Sequence, residues 1–149
     1  MRVQEINPAR LATLFRKEFE LCNVKEGETI ALLSDLTSRR EYVQAAFAAA
    51  SELGADTYEL CVNSTPSWTK VGVETIGACK GTIDVLAAAD LLVCLHIPLF
   101  TKWMKTVRDA GTRVLMIIDA PDDLEQLMAP PGLREAVIHA GQRLEQTRT

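Results

Sequence analysis

No apolar stretch in this 149-residue sequence approaches the roughly 18 to 20 continuous residues that a membrane-spanning helix requires. The N-terminus also lacks the apolar run of a signal peptide. The 16 basic and 20 acidic residues form no blocks and leave a net charge of -4, so the chain offers no basic stripe to a phosphate backbone. We therefore expect a cytoplasmic protein whose partners include neither nucleic acid nor a membrane.

Several short motifs that would reveal chemistry are also missing. The sequence contains no dinucleotide-binding G-x-G-x-x-G, no phosphate-binding G-x-x-x-x-G-K-[ST] and no G-x-S-x-G nucleophile elbow. Its two histidines, His96 and His139, have no H-x-x-x-H or H-x-D arrangement, and its four cysteines form no C-x-x-C pair. The sequence therefore predicts no metal site within this chain, and cysteines that are buried free thiols.

The chain is 48% hydrophobic and 24% charged, which is the balance of one globular domain with a substantial core. Short apolar runs predict four buried strands, and amphipathic periodicity predicts helices between and around them. We expect strands at 29–33, 56–62, 91–97 and 113–118, and helices at 8–22, 39–53, 83–89, 101–110 and 132–146.

Several residues indicate where helices begin and end. Ser38 and Glu41 fit the S-x-x-E capping box at a helix start, and Gly54 is expected to end that helix. Pro121, among acidic neighbours, indicates another helix start. The closing helix carries an apolar stripe that needs a surface to cover, formed by Leu133, Val137, Ala140 and Leu144.

Alternating strands and helices predict an α/β fold. We expect an open three-layer sandwich with a mostly parallel sheet of about four strands, Rossmann-like or flavodoxin-like, with helices on both faces. No linker or repeat divides the chain, so residues 1–149 are expected to form a single domain. The segment 63–74 breaks every periodicity and is predicted to be a long loop.

Ligands of open parallel sheets bind beyond the carboxyl ends of the strands. His96 closes a predicted core strand and is our candidate catalytic residue, as a general base, although a hydrogen-bonded structural histidine fits the same position. His139 is expected at the surface or at a domain contact. Trp68 and Trp103 fit either the wall of a pocket for a planar ring or simple packing. The other polar residues expected at this rim are Ser34, Asp35, Asn63, Ser64 and Asp119.

The order of these motifs resembles a known group of enzymes along most of the chain. Residues 14–22 and 24–35 resemble the opening of the aminopeptidase T type metallopeptidases and of the 2,5-dihydroxypyridine 5,6-dioxygenases. Three further segments, 46–55, 88–91 and 110–115, are similar to the dioxygenase branch. The resemblance implies that this chain is the N-terminal domain of an enzyme more than twice as long.

The resemblance also implies chemistry that this chain does not carry alone. Non-haem Fe(II) would be bound by two histidines and a carboxylate in the C-terminal half, with positions left open for O₂ and a hydroxylated N-heterocycle. The partners implied are that aromatic substrate, a C-terminal catalytic domain and further copies in a homo-oligomer. The isolated 149-residue chain would be inactive.

One position departs from the dioxygenase pattern. The dioxygenases carry a histidine after strand three that is thought to act as the base, and Phe100 stands at that position here, four residues beyond His96. Either the alignment shifts locally and His96 serves, or the substrate differs from 2,5-dihydroxypyridine. Two other functions stay open at this point: a domain of an aminopeptidase T type metallopeptidase, and a stand-alone binding or assembly domain without catalysis.

Overall fold

The computed structural model describes residues 7–63, 76, 80–97, 101–128, 130 and 132–147, and the statements below concern these residues. Strands and helices alternate along the chain, as the apolar runs predicted. The elements are α1 (Pro8–Leu21), β1 (Thr29–Asp35), α2 (Arg40–Glu52), β2 (Asp56–Val62), α3 (Lys80–Ala87), β3 (Leu91–Cys94), α4 (Lys102–Asp109), β4 (Arg113–Met116), α5 (Pro121–Leu127) and α6 (Leu133–Gln146).

The four strands form one parallel sheet in the order β2-β1-β3-β4. In the middle of the sheet Leu32 of β1 pairs with Glu59 of β2 and with Val93 of β3. Val93 in turn pairs with Leu115 of β4. The expectation of a mostly parallel sheet of about four strands is therefore confirmed.

Two apolar layers sandwich the sheet, because successive side chains of a strand point to opposite faces. Ile30 and Leu32 of β1 pack with residues of α1 and α2, among them Phe15 and Tyr42. The other face of the sheet packs against α3 and α4, through a cluster that includes Ala31, Leu33, Leu86, Leu92 and Val107. The three-layer α/β sandwich is the architecture that the sequence predicted.

The strands end at slightly different places from those predicted. β1 extends two residues further, to Asp35, whereas β3 ends at Cys94 and β4 at Met116. Regular hydrogen bonding nevertheless continues for one residue past β3 and β4: the Leu95 amide donates to Leu33, and the Ile117 amide donates to Cys94. Only the last residues of the predicted strands leave the ladder, which is within the usual uncertainty of element ends.

The capping box predicted at Ser38 and Glu41 is wrong. The N-cap of α2 is Arg39, and no side chain caps this helix end. The Ser38 hydroxyl instead contacts Asp35 and Leu95, so the residue holds together two strand ends and not a helix start. The end of α2 agrees with the prediction, because Gly54 has φ +71° and a Cβ there would lie 2.9 Å from Cγ of Glu26.

A network of charged and backbone groups fixes the amino edge of the sheet. Arg113, at the start of β4, donates to the carbonyl oxygens of Cys22 (2.6 Å) and Asn23 (2.9 Å) and also pairs with Glu28. Asp90 accepts from the Thr29 amide at 2.8 Å. These contacts lie at the start of β1 and β4, which is the edge of the sheet opposite to the carboxyl ends of the strands.

Two separate helices follow β4. α5 begins at Pro121, where the sequence indicated a helix start, and its Leu124 joins the core beside α1 and α2. α6 matches the predicted closing helix, but none of its residues is buried. Its apolar stripe therefore stays largely exposed in the part of the chain that the structure describes.

None of the helices in the described residues is both long and apolar enough to cross a bilayer.

Candidate functional site

The crevice at the carboxyl ends of β1 and β3 is the candidate site. β1 and β3 are the two central strands of the sheet. The chain continues from β1 to β2 at one edge of the sheet, and from β3 to β4 at the other edge. α2, which follows β1, packs on one face of the sheet, while α4, which follows β3, packs on the other. The connections that leave β1 and β3 therefore run to opposite faces of the sheet and leave a crevice between them. Open parallel sheets bind their ligands in such a crevice.

Asp35, the last residue of β1, organises the turn that borders this crevice. Its carboxylate accepts from the Thr37 amide at 2.8 Å and from the Thr37 hydroxyl at 2.7 Å. The Ser38 amide donates to the Asp35 carbonyl at 3.0 Å. An aspartate side chain that accepts a hydrogen bond from the backbone amide two residues further on forms an Asx turn. Asp35 itself is only 3% exposed. The turn is thus fixed by its own polar groups.

Ser38 joins this turn to the neighbouring strand. Its hydroxyl oxygen accepts from the Asp35 amide at 2.9 Å and lies 3.1 Å from the carbonyl oxygen of Leu95. Leu95 follows β3 directly and precedes His96. The hydroxyl therefore bridges the two sides of the crevice and holds the backbone next to the candidate base.

His96 lies two residues beyond β3, at the edge of the sheet where the sequence analysis placed it. Its side chain is buried, with 5% of its surface exposed. The position is compatible with a general base in a closed site and equally with a structural histidine, so its catalytic role stays a prediction. His139 is exposed on α6, which agrees with the surface position expected for it.

The other predicted rim residues do not gather around His96. Asn63 and Asp119 are exposed, beyond the ends of β2 and β4. The backbone carbonyl of Asp119 accepts from the Tyr42 hydroxyl at 2.5 Å, which ties the segment after β4 to α2. Ser34 is fully buried, and Ser64 lies outside the described residues. Asp35 and His96 thus lie at the carboxyl ends of the two central strands, whereas Asn63 and Asp119 lie beyond the ends of the two outer strands.

Sequence reasoning missed a polar cluster around Glu59. This residue of β2 accepts a hydrogen bond from Ser34 and pairs with the two terminal guanidinium nitrogens of Arg40, at 2.5 and 3.0 Å. The hydrogen bond from Arg40 is the main reason why the pKa of Glu59 lies below its ordinary value, and the Ser34 hydroxyl adds to the effect. A lone glutamate within a mainly apolar strand was the available signal. The cluster fixes the first turn of α2 against the sheet.

The aromatic residues considered for a pocket have different positions. Trp103 is 2% exposed and packs in the core with Leu33 and Cys94, so packing is its observed role. Its indole N–H has no acceptor within the described part of the chain. Trp68 and Phe100 lie outside the described residues, as does nearly all of the predicted loop at 63–74.

The cysteines are only partly as expected. Cys94 is buried in the core beneath the crevice, and burial raises the pKa of its thiol to about 12. Burial also raises the pKa of the half-buried Cys22. Cys61 is exposed, which corrects the expectation of a buried thiol, because β2 is an edge strand with its outer residues only partly covered. A neutral thiol is a poor nucleophile, so Cys94 is a packing residue.

The described residues do not fit an iron site. Within them, no three histidine, cysteine, aspartate or glutamate side chains lie close enough together to hold a metal ion. A facial triad needs two histidines and a carboxylate, and His96 and His139 lie at the end of a central strand and on an exposed helix. No step involving iron is therefore assigned to these residues.

Comparison with known proteins identifies the family. The sequence profile of the NicX family, 2,5-dihydroxypyridine 5,6-dioxygenase, matches residues 10–149. The chain belongs to this family. A curated relative, the 2,5-dihydroxypyridine 5,6-dioxygenase of Pseudomonas putida KT2440, is 26% identical over 152 aligned residues, which cover 97% of this chain and 43% of the relative.

One solved structure agrees with this assignment, and a more distant one shares only the fold. The 2,5-dihydroxypyridine dioxygenase of Pseudomonas putida KT2440 superposes with a TM-score of 0.79 at 26% identity, over 95% of this chain and 43% of that one. VinN in complex with L-aspartate shares the fold, with a TM-score of 0.52 at 16% identity, over 81% of this chain and 29% of its own. This chain thus spans less than half the length of the dioxygenase that it matches.

Proposed function

We propose that this chain is the N-terminal domain of a non-haem Fe(II) dioxygenase that cleaves the ring of a hydroxylated N-heterocycle similar to 2,5-dihydroxypyridine. The observation that carries the proposal is the family match over residues 10–149. In this proposal the iron and the ligands that hold it belong to a part of the enzyme beyond this domain, and the length of the relative leaves room for such a part, since the matched region is 43% of it.

In this proposal the chain supplies one wall of the substrate pocket. The β1–β3 crevice faces the rest of the enzyme, and the Ser38 hydroxyl links its two sides. A rigid wall matters because a substrate held in one orientation loses little freedom on reaching the transition state. In the same proposal His96 takes a proton from a ring hydroxyl, which would make the ring a better electron donor toward O₂.

A metal and substrate assay on a family-length protein carrying this chain tests the function. We expect bound iron and O₂ uptake in step with loss of the dihydroxypyridine. Peptide hydrolysis supported by zinc or cobalt, without O₂ uptake, would overturn the proposal in favour of a metallopeptidase.

The isolated chain provides the second part of this test. After incubation with Fe(II) and desalting, we expect elemental analysis to find no stoichiometric metal in it, and we expect it to have no ring-cleaving activity. One tightly retained iron per chain would contradict the division of the site between two domains. The cytoplasmic location and a homo-oligomeric state remain predictions that follow from the same proposal.

A further inference from the structure

One side of α6 carries apolar side chains that stay largely exposed in the described structure. Leu133, Val137, Ala140 and Leu144 form the α6 stripe, at spacings that place them on one side of the helix. Leu133 is 45%, Val137 61% and Leu144 68% exposed. A helix of 14 residues is only marginally stable in water by itself, so most of its stability must come from packing its apolar side.

A groove between α1 and α6 continues this surface. It has a volume of about 730 Å³, and Leu21 and Met128 line it together with Leu133 and Val137 of the stripe. Charged residues of both signs border it, among them Lys17 and Glu20. An apolar centre with a polar border is the composition of an interface that excludes water.

The geometry points to the second domain of the same polypeptide as the partner that covers the α6 stripe and this groove. The inference rests on the proposed function, in which the chain is one domain of a longer enzyme. The family match extends through α6, so this helix belongs to the family's shared architecture, and 57% of the length of the relative lies outside the matched region.

The size of the surface favours a tethered domain over a second copy of the chain. The stripe and the groove together comprise 13 residues, eight of them apolar, whereas a stable interface between separate proteins uses roughly 20 to 30 residues on each side. A domain joined by a linker is present at an effective concentration of about a millimolar, so a much smaller surface is sufficient to hold it.

Matched aspartate substitutions on α6 test the inference. Leu144→Asp places a charge in the stripe, and Gln142→Asp places the same charge two residues away, on nearly the opposite side of the helix. In the family-length protein we expect Leu144→Asp to lower the thermal midpoint by about 5 °C or more, and Gln142→Asp to change it by less than about 1 °C. In the isolated chain both substitutions should leave the midpoint unchanged, since both positions are exposed there.

A measurement without substitutions complements this comparison. Amide hydrogen exchange in α6 should be at least about tenfold slower in the family-length protein than in the isolated chain, because docking suppresses local opening. Equal exchange in the two proteins, or equal effects of the two substitutions, would overturn the inference. So would a dimer of the isolated chain, observed by analytical ultracentrifugation, that Leu144→Asp dissociates and Gln142→Asp does not.

These readouts do not depend on catalysis. If the family-length protein cleaves the ring but Leu144→Asp has no effect, only the docking surface is wrong. If Leu144→Asp destabilises a protein that shows no dioxygenase activity, only the proposed function is wrong.

Discussion

The hydroxyl oxygen of Ser38 lies 3.1 Å from the carbonyl oxygen of Leu95, and this contact joins the turn after β1 to the turn after β3. The two strands are neighbours in the sheet, but the residues are 57 positions apart in the chain. One small polar side chain therefore links the two sides of the crevice next to His96.

Ser38→Ala should destabilise the fold measurably. The substitution removes the acceptor of the Asp35 amide as well as the contact with Leu95, at a partly buried position. We expect the free energy of unfolding to fall by about 1 to 3 kcal/mol, measured by urea denaturation. Ser51→Ala, at an exposed site on α2, is the control and should change this energy by less than about 0.5 kcal/mol. Equal effects of the two substitutions would show that the bridge contributes nothing.

The stability conferred by Glu59 should depend on pH. Because the folded protein holds the pKa of this carboxyl below its ordinary value, the stabilisation is complete above the unfolded pKa and is lost as the pH falls through the folded pKa. Glu59→Gln should therefore destabilise the protein at pH 7 and lose most of its effect below about pH 4.

Denaturation of both proteins across this pH range measures the effect. The coupling between Glu59→Gln and Arg40→Gln in a double-mutant cycle should decrease over the same range, because the ion pair disappears when the carboxyl is protonated. A coupling that stays constant from neutral to acid pH would mean that packing, and not charge, links the two residues.

Thr57→Val should stabilise the fold. The Thr57 hydroxyl is buried and has no hydrogen-bond partner within the described residues. Valine has nearly the same shape, suits a strand and removes the cost of burying that hydroxyl. The free energy of unfolding should rise by about 1 kcal/mol.

Thr13→Val is the matched control for that substitution. The Thr13 hydroxyl donates to the Ala9 carbonyl at 3.0 Å on an exposed part of α1, so replacing it should bring no gain. A loss of stability in Thr57→Val would mean that the hydroxyl has a partner after all, such as an ordered water.

Much of the fold could be predicted because local pattern and tertiary structure agree in this chain. The run from Thr29 to Leu33 is apolar without interruption, which is typical of a central strand covered on both faces, and β1 is such a strand. α1 was predictable because Leu11, Phe15 and Phe19 share one side of a helix, and all three are buried. The arrangement of the strands was less evident from local pattern, and the parallel sheet was expected only because strands and helices alternate along the chain.

The candidate site was only partly predictable. Asp35 and His96 could be placed at the carboxyl edge because each ends an apolar run, but a strand end does not reveal which neighbouring loop a side chain meets. Ser38 illustrates the limit. Its spacing from Glu41 matches a capping box, whereas its hydroxyl bonds Leu95, a contact across the sheet that no local pattern encodes. The Glu59 and Arg40 pair was missed for the same reason.

The role of the crevice can be tested by the turnover of His96→Ala in the family-length enzyme, measured as O₂ uptake with 2,5-dihydroxypyridine beside the thermal midpoint of the same preparation. His139→Ala removes the chain's other histidine, from an exposed helix, and is the control. We predict that His96→Ala lowers turnover by about 10²-fold or more with the midpoint nearly unchanged, while His139→Ala changes neither. Unchanged turnover in His96→Ala beside a lowered midpoint would contradict the account and leave His96 a structural residue.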